Sequence, residues 1–346
     1  MRSSNEKKWF IGIDGGGTKT KAAICDRAGR VMSVEVGEGS NPLSRPWEEV
    51  EHTLRTCMNQ VQQQAGAKQE DVAGLYIGLG GAEHQPIKEL LRSAFIDPWQ
   101  GRLFIDNDAI AALYAGTWGE PGIVLICGTG SIAYALTEQG ERHRVGGWGY
   151  LVGDEGSGFD LGKKAAIAVL RAHDGRGEQT MLTELFLTHY KVQQPNELIS
   201  LIYNAANPRM GLAQASELVE SAAASGDTIA SQLISDAADS LIELATTCLR
   251  KTKESLPVVL AGGLLTAKTM LCQELKQKAP FATVVPSVSP VFGSLVAAMV
   301  RSGNGLDEGI KNQLLTSGTE LEKGWSQWAK TCTNSIQRVE IRPVND

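Results

Sequence analysis

The sequence predicts a duplicated α/β fold of two domains, each a mixed sheet with helices on its faces, facing each other across a cleft. One short pattern occurs twice, as Phe10-Ile-Gly-Ile-Asp-Gly-Gly-Gly-Thr18 and as Val124-Leu-Ile-Cys-Gly-Thr-Gly-Ser131. Each copy is an apolar run, a glycine-rich turn ending in a hydroxyl residue, and a second apolar run, Lys21 to Cys25 or Ile132 to Leu136. The copies lie roughly one domain apart. A chain of 346 residues also exceeds what one ordinary core organises.

Trp9 to Ile13, Lys21 to Cys25 and Val31 to Val36 are predicted as three successive strands joined by glycine turns. A helix from Pro46 to about Ala65 follows, then a strand over Gly74 to Leu79 and a helix around Pro86 to Phe95. Arg102 to Ile105 is a fifth strand that leads through Asp106-Asn107-Asp108 into a helix over Ala109 to Ala115. Strands in a meander, then strands alternating with helices, describe a mixed sheet covered by helices. Gly116, Gly119, Pro121 and Gly122 cluster where the pattern restarts, so the expected domains are 1–118 and 119–346, with a candidate hinge between Thr117 and Gly122.

The second half repeats the hairpin and then departs from the first. Arg144 to Gly158 is dense in glycine, which marks either a flexible surface loop or a loop wrapped against a ligand. Leu161 to about Glu254 is expected to be almost wholly helical, Pro257 to Ala261 and Thr283 to Val285 to be strands, and Pro290 to Met299 a helix. The polar tail from Gly303 is expected to form a terminal helix and a frayed end.

Composition excludes several classes of function. Hydrophobic residues make up 42% and charged residues 21%, values of a globular chain. The net charge of −6, without a basic block, argues against nucleic acid. Met1 to Lys8 is polar and no stretch of about 18 apolar residues occurs, so neither an export signal nor a membrane span is expected. Six scattered cysteines lack any zinc spacing and suit a reducing compartment. A cytoplasmic location is therefore expected.

The chemistry is expected at the glycine turns. Glycine can take φ > 0 and bring bare N–H groups against an anion, and two such turns suit the two ends of a nucleotide's phosphate chain. Gly16, Gly17 and Thr18 in the first turn, and Thr129, Gly130 and Ser131 in the second, are the candidate phosphate ligands. Asp14, placed directly before the first turn, can hold Mg²⁺ through a bound water. Asp108 stands at or just before a helix start, where a carboxylate is commonly a cap. It also faces the carboxyl edge of a sheet, where ligands of α/β proteins bind, and is the favoured general base. Gly147, Trp148, Gly149, Asp154 and Glu155 combine open backbone, an aromatic plate and carboxylates, a mixture suited to sugars. Trp148 could equally cover the core, and Asp154 could cap the following helix.

Asp14-Gly-Gly-Gly-Thr18, Asn107-Asp108-Ala109, Gly128-Thr-Gly-Ser131 and Gly147-Trp-Gly-Tyr-Leu-Val-Gly-Asp-Glu-Gly156 together resemble the BadF/BadG/BcrA/BcrD ATPase family, which includes the N-acetylglucosamine kinases. The likeness runs from Ile11 to about Met299. It implies a ribonuclease H-like fold of the actin/hexokinase type and a kinase that uses ATP and Mg²⁺. It further implies Thr18 and Thr129 on ATP phosphates, Asp108 as base and sugar ligand, and Asn41, Gly147, Trp148, Gly149 and Asp154 on a hexosamine. Ala213 and Gly263 fall where family members line the adenine pocket. Where eukaryotic relatives have Asn after Gly-Thr-Gly-Ser this chain has Ile132, and where they have Glu it has Asp14. The resemblance leaves N-acetylglucosamine, N-acetylmuramic acid and glucosamine all open.

The expected activity is thus transfer of a phosphoryl group from ATP to the 6-hydroxyl of such a sugar. The expected partners are a small amino sugar and, at most, a second copy of the chain in a homodimer. An alternative is an ATP-driven activator of a partner dehydratase or reductase, carrying an iron–sulfur cluster between subunits. The cysteines lie largely inside predicted strands and helices, which disfavours it. Only eight polar residues precede the first strand, too few for the DNA-binding module of a regulator.

Overall fold

The computed structural model describes residues 9–336, with side chains through 322. The chain first builds a sheet from β1 (Trp9–Gly15), β2 (Lys19–Asp26) and β3 (Val31–Glu38). The helix α1 (Trp47–Ala65) follows, then β4 (Val72–Leu79), α2 (Gln85–Phe95), β5 (Leu103–Asp106) and α3 (Asp108–Thr117). The sheet order is β3-β2-β1-β4-β5, with β1, β2 and β3 an antiparallel meander and β4 and β5 parallel to β1. Buried Val50, Leu54, Cys57, Met58 and Val61 recur at helical spacing along α1 and close over the sheet residues Ile11, Ala22 and Ile24. Gly66, in the left-handed conformation, ends α1 by donating to Gln62 and Gln63.

A second sheet begins with β6 (Gly122–Cys127), β7 (Ser131–Leu136) and β8 (Arg142–Gly146). A helical segment follows, comprising α4 (Gly158–His173), α5 (Leu182–Tyr190), α6 (Glu197–Asn204), α7 (Pro208–Gln214), α8 (Ser216–Ala224) and α9 (Thr228–Thr252). After it come β9 (Val258–Ala261), the single turn α10 (Gly263–Thr266), α11 (Met270–Lys278) and β10 (Thr283–Val284). The order β10-β9-β6-β7-β8 repeats the first sheet: an antiparallel meander, then two strands parallel to its first member. The third strand of this meander, β8, was not expected from the glycine-rich run after Arg144; it exists because Arg142 to Gly146 pair residue by residue with Leu136 to Ile132. Pairing across strands supplies order that local composition does not announce.

The last helices are α12 (Pro290–Arg301) and α13 (Glu308–Ile336); the frayed end expected after them lies outside the described residues. Two compact units result, one of residues to Gly119 with those from Ser287, the other Glu120–Pro286. Their first boundary falls inside the glycine and proline cluster, but the chain from Ser287 rejoins the first unit instead of completing a continuous 119–346 domain. Packing explains the difference. Every residue from Val291 to Met299 is buried, and a helix apolar all round needs cover on every side. Within the first unit α12 lies on β1 and α3: Ser294 Oγ donates to the Ile13 carbonyl at 3.0 Å, and a Cβ at Gly12 would sit 2.5 Å from the Leu295 nitrogen. Among the described residues no helix is long and apolar enough to cross a membrane.

The closest approach in this packing is at Gly293, where a Cβ would lie 1.9 Å from the Ala111 carbonyl oxygen and 2.6 Å from the Ala115 nitrogen. Gly293→Ala should therefore force α12 away from α3 and cost about 2 kcal/mol or more. The measurement is the urea midpoint of the first unit's transition, and an unchanged midpoint would contradict this packing.

Candidate functional site

Strand direction gathers the candidate residues of the first unit. β1, β3, β4 and β5 all point the same way, so Asp14, Asn41, Gly80 and Asp108 lie at one carboxyl edge of the sheet. The loop after β3 is tied to the first glycine turn: Ser40 N donates to the Gly16 carbonyl, Gly80 N donates to the Gly15 carbonyl, both at 2.9 Å, and the Thr20 and Ser40 hydroxyls meet at 2.7 Å. Gly17 and Thr18 at the tip are exposed. None of Gly15, Gly16, Gly17, Gly128 and Gly130 takes a positive φ. The turn glycines do not supply the left-handed backbone expected of them; Gly15 and Gly130 are needed for space. A Cβ at Gly15 would collide with Ser40 Oγ and the Leu79 side chain, whereas at Gly17 and Gly128 it would meet nothing within 4 Å, which leaves backbone open to a ligand.

Asn107 resolves the role left open for Asp108. It is Asn107 that caps α3, its Oδ1 accepting from Ala109 N at 2.8 Å, while Asp108 is the first helical residue. Asp108 is therefore not the N-cap residue, although its carboxylate still lies against the first N–H groups of the helix. It lies beside Asn41: a Cβ at Gly80 would stand 3.3 Å from Asn41 Nδ2 and 3.4 Å from Asp108 Oδ2. Burial raises the Asp108 carboxyl to about 6, against the backbone N–H groups of Ala109 and Asp108 itself, with Glu83 adding repulsion. Burial likewise raises Asp14 to about 7, repulsion from Asp108 adds to it, and Lys21 and Lys19 pull the other way.

The second unit repeats this arrangement with different residues. β6, β8 and β9 point one way and present Thr129, Gly147 and Gly263 at one edge. Gly128 N closes the turn on the Gly130 carbonyl at 2.9 Å, and Gly158 N ties the start of α4 to the Gly128 carbonyl at 2.8 Å. Ser131 Oγ donates to the Glu155 carbonyl at 2.7 Å. Asp154 does not cap α4, since Ser157 does. Its residue is 3% exposed with φ of 60°, and its carboxylate accepts from Ser131 N at 3.4 Å and from Arg209 Nη2 at 3.0 Å. The Asp154 carboxylate is thus tied to the second turn and to Arg209 by one bond to each of its oxygens.

Trp148 does not cover the core, being 65% exposed, with the Arg144 guanidinium 4.6 Å from its ring centroid. Gly147 rests on Ile132: a Cβ there would come within 2.8 Å of Ile132 Cδ1. A cavity of about 480 Å³ joins Gly128 and Thr129 to Ala213 and Gly263, residues scattered over more than a hundred positions of sequence. Met210, Gln214 and Glu217 of α7 and α8, which carry no motif, also line it, as do Leu264 and Lys268 in and after α10; none was foreseen. Gly80 belongs to no motif; its position after β4, on the edge shared with Asp14 and Asp108, is the signal the sequence offers. Among the described residues no group of three or more His, Cys, Asp or Glu is placed to hold a metal ion, and Cys25, Cys57, Cys127, Cys248 and Cys272 are buried free thiols.

Two five-stranded sheets of the same topology, each with a glycine-rich turn between the first two strands of its meander, define an α/β protein of the actin/hexokinase-type ATPase fold. The chain belongs to the BadF/BadG/BcrA/BcrD ATPase family, whose model matches residues 11–298. It is 33% identical over 278 residues to an N-acetylmuramic acid/N-acetylglucosamine kinase of Clostridium acetobutylicum, covering 78% of this chain and 90% of that protein. It is 32% identical to an N-acetyl-D-glucosamine kinase of Dictyostelium discoideum, over 79% of this chain and 90% of the relative. Among crystal structures, a provisionally assigned N-acetylglucosamine kinase from Chromobacterium violaceum superposes with a TM-score of 0.66 at 29% identity, covering 85% of this chain and all of that one.

The raised carboxyl of Asp14 has a consequence for stability. The folded protein keeps this proton up to about pH 7, whereas an unfolded aspartate releases it near 4. The folded state therefore loses stability as pH climbs between those values. Asp14→Asn should raise the melting temperature by a few degrees at about pH 8 and by nothing near pH 4, as scanning calorimetry at the two pH values would measure.

Proposed function

We propose that this chain is an ATP-dependent amino-sugar kinase that phosphorylates the 6-hydroxyl of N-acetylglucosamine or a close relative such as N-acetylmuramic acid or glucosamine. The observation that carries the reading is the Asp108 carboxylate, one residue inside the Asn107 cap and standing beside Asn41 at the edge that also holds the first glycine turn. The names of the relatives support the substrate class.

In this reading Gly16, Gly17 and Thr18, with Thr129, Gly130 and Ser131, bind the nucleotide's phosphates through open backbone and hydroxyls. Ala213 and Gly263 line the adenine pocket. Asn41, Asp108, Asp154 and the Gly147-Trp148-Gly149 loop bind the hexosamine. Asp108 accepts the proton of the sugar's 6-hydroxyl as that oxygen attacks the γ-phosphorus; the bond from γ-phosphorus to the β–γ bridging oxygen breaks and ADP leaves.

The residues also fit Mg²⁺. Asp14 is an anion disfavoured where it stands, by burial and by Asp108, and a cation would relieve both. No protein cage is needed for an ion that keeps waters and binds mainly to phosphates. Asp14 would hold it through water, and when bound it would neutralise charge on the transferring phosphoryl group.

Asp108→Asn should lower kcat by about 10²-fold or more with little change in sugar KM, as steady-state assays of ADP release would show. For the wild type, kcat should rise with pH through about 6, where Asp108 gives up its own proton. Near-normal turnover of the variant would exclude Asp108 as base.

Ile132, an apolar neighbour of the sugar-binding loop, should select weakly among ring substituents, because rejecting an isostere requires a polar group left unpaired. Equal concentrations of N-acetylglucosamine, N-acetylmuramic acid, glucosamine and glucose in competition should give N-acetylglucosamine phosphate first, a measurable product from at least one other amino sugar, and little from glucose. Glucose as the best substrate would overturn the amino-sugar assignment.

A further inference from the structure

Arg209 is the second residue of α7, in a helical segment where no motif marks a function. The fold nevertheless brings its guanidinium to the second glycine turn. A Cβ added at Gly130 would lie 2.9 Å from Arg209 Nη2. Two contacts aim it there. Nη2 donates to Asp154 Oδ2 at 3.0 Å, and the guanidinium carbon stands 5.6 Å from the ring centroid of Tyr150. Asp154 is itself fixed by Ser131 N and by its burial, so the pair is anchored to the turn and not to solvent.

The hydrogen bonding of this arginine is incomplete. Its Nε is buried and has no partner among the described residues, while the side chain as a whole keeps 39% exposure. A buried donor without an acceptor is costly. The exposed part of the side chain is open to a ligand at the turn, and the planar guanidinium fork matches the acceptor oxygens of phosphate. Met210, the next residue, lines the cavity that contains Gly128 and Thr129.

We propose that Arg209 contacts the polyphosphate of the nucleotide at the Gly128–Ser131 turn, and that Asp154 is the positioning residue that holds it there. The proposal rests on the reading of that turn as a nucleotide phosphate site. Asp154 and Arg209 then act as one clamp: the carboxylate holds Nη2, and the phosphates take the exposed part of the fork.

Calorimetric titration of the full chain with ATP, ADP and adenosine tests it. Arg209→Gln should weaken ATP and ADP by about 10-fold or more and leave adenosine within a factor of two, and Arg209→Lys should recover part of the loss. ATP affinity within a factor of two of wild type in Arg209→Gln would overturn the proposal. Should that variant not fold, the wild type serves: ATP, unlike adenosine, should protect Arg209 from phenylglyoxal as followed by peptide mass, and equal modification with both would overturn it. The sugar-kinase reading fails separately, if no amino sugar yields ADP while ATP binding still depends on Arg209.

Discussion

Strand direction is the constraint on which the rest of the candidate site depends. In each sheet the meander's first and third strands and the two parallel strands after it run the same way, so their loops emerge at a single edge. A loop needs no binding energy of its own to reach that edge, because the ladder hydrogen bonds already fix where each strand ends. Asp14, Asn41, Gly80 and Asp108 are separated by up to 94 positions and still meet, since each follows or ends a strand of common direction. The same logic gathers Thr129, Gly147 and Gly263 in the second unit.

Electrostatics sharpen what geometry gathers. Asp14 and Asp108 are each raised chiefly by burial, and Asp108 adds to the shift at Asp14. Folding keeps both carboxylates at a cost in stability that apolar or amide side chains would avoid. Local strain of this kind concentrates where a ligand or a proton is handled. The second unit deals with its buried carboxylate differently: Asp154 is paired with Arg209 and hydrogen-bonded to the turn, so its charge is compensated inside the protein. Duplicated architecture has thus come to hold one edge whose buried carboxylates stay raised and one whose buried carboxylate is paired with an arginine.

The two halves also differ beyond the meander. In the first, one helix connects β3 to β4; in the second, six helices lie between β8 and β9. That insertion supplies α7 and α8, hence most of the cavity wall beside Thr129, together with Arg209. A short repeated hairpin reveals the common architecture, but the residues that distinguish the halves lie in the insertion, where helical sequence is dictated by burial of Leu212, Ala213 and Val219 and not by chemistry.

The sequence alone determined the repeated hairpins, the meander followed by alternating strands and helices, and the identity of the residues at the turns, because these depend on neighbours a few positions away. Asp108 was legible as a polar residue after a strand, yet its place inside the helix was not: whether Asn107 or Asp108 takes the cap depends on one residue's shift in helix start. Tertiary structure alone decided that β8 is a strand, that α12 closes the first unit, that Gly15 and Gly130 provide space, and that Arg209 and Asp154 meet at Gly130. Each of these is a contact between segments far apart in the chain, and no local periodicity encodes which distant surface will cover a helix or which distant cation will answer a buried carboxylate.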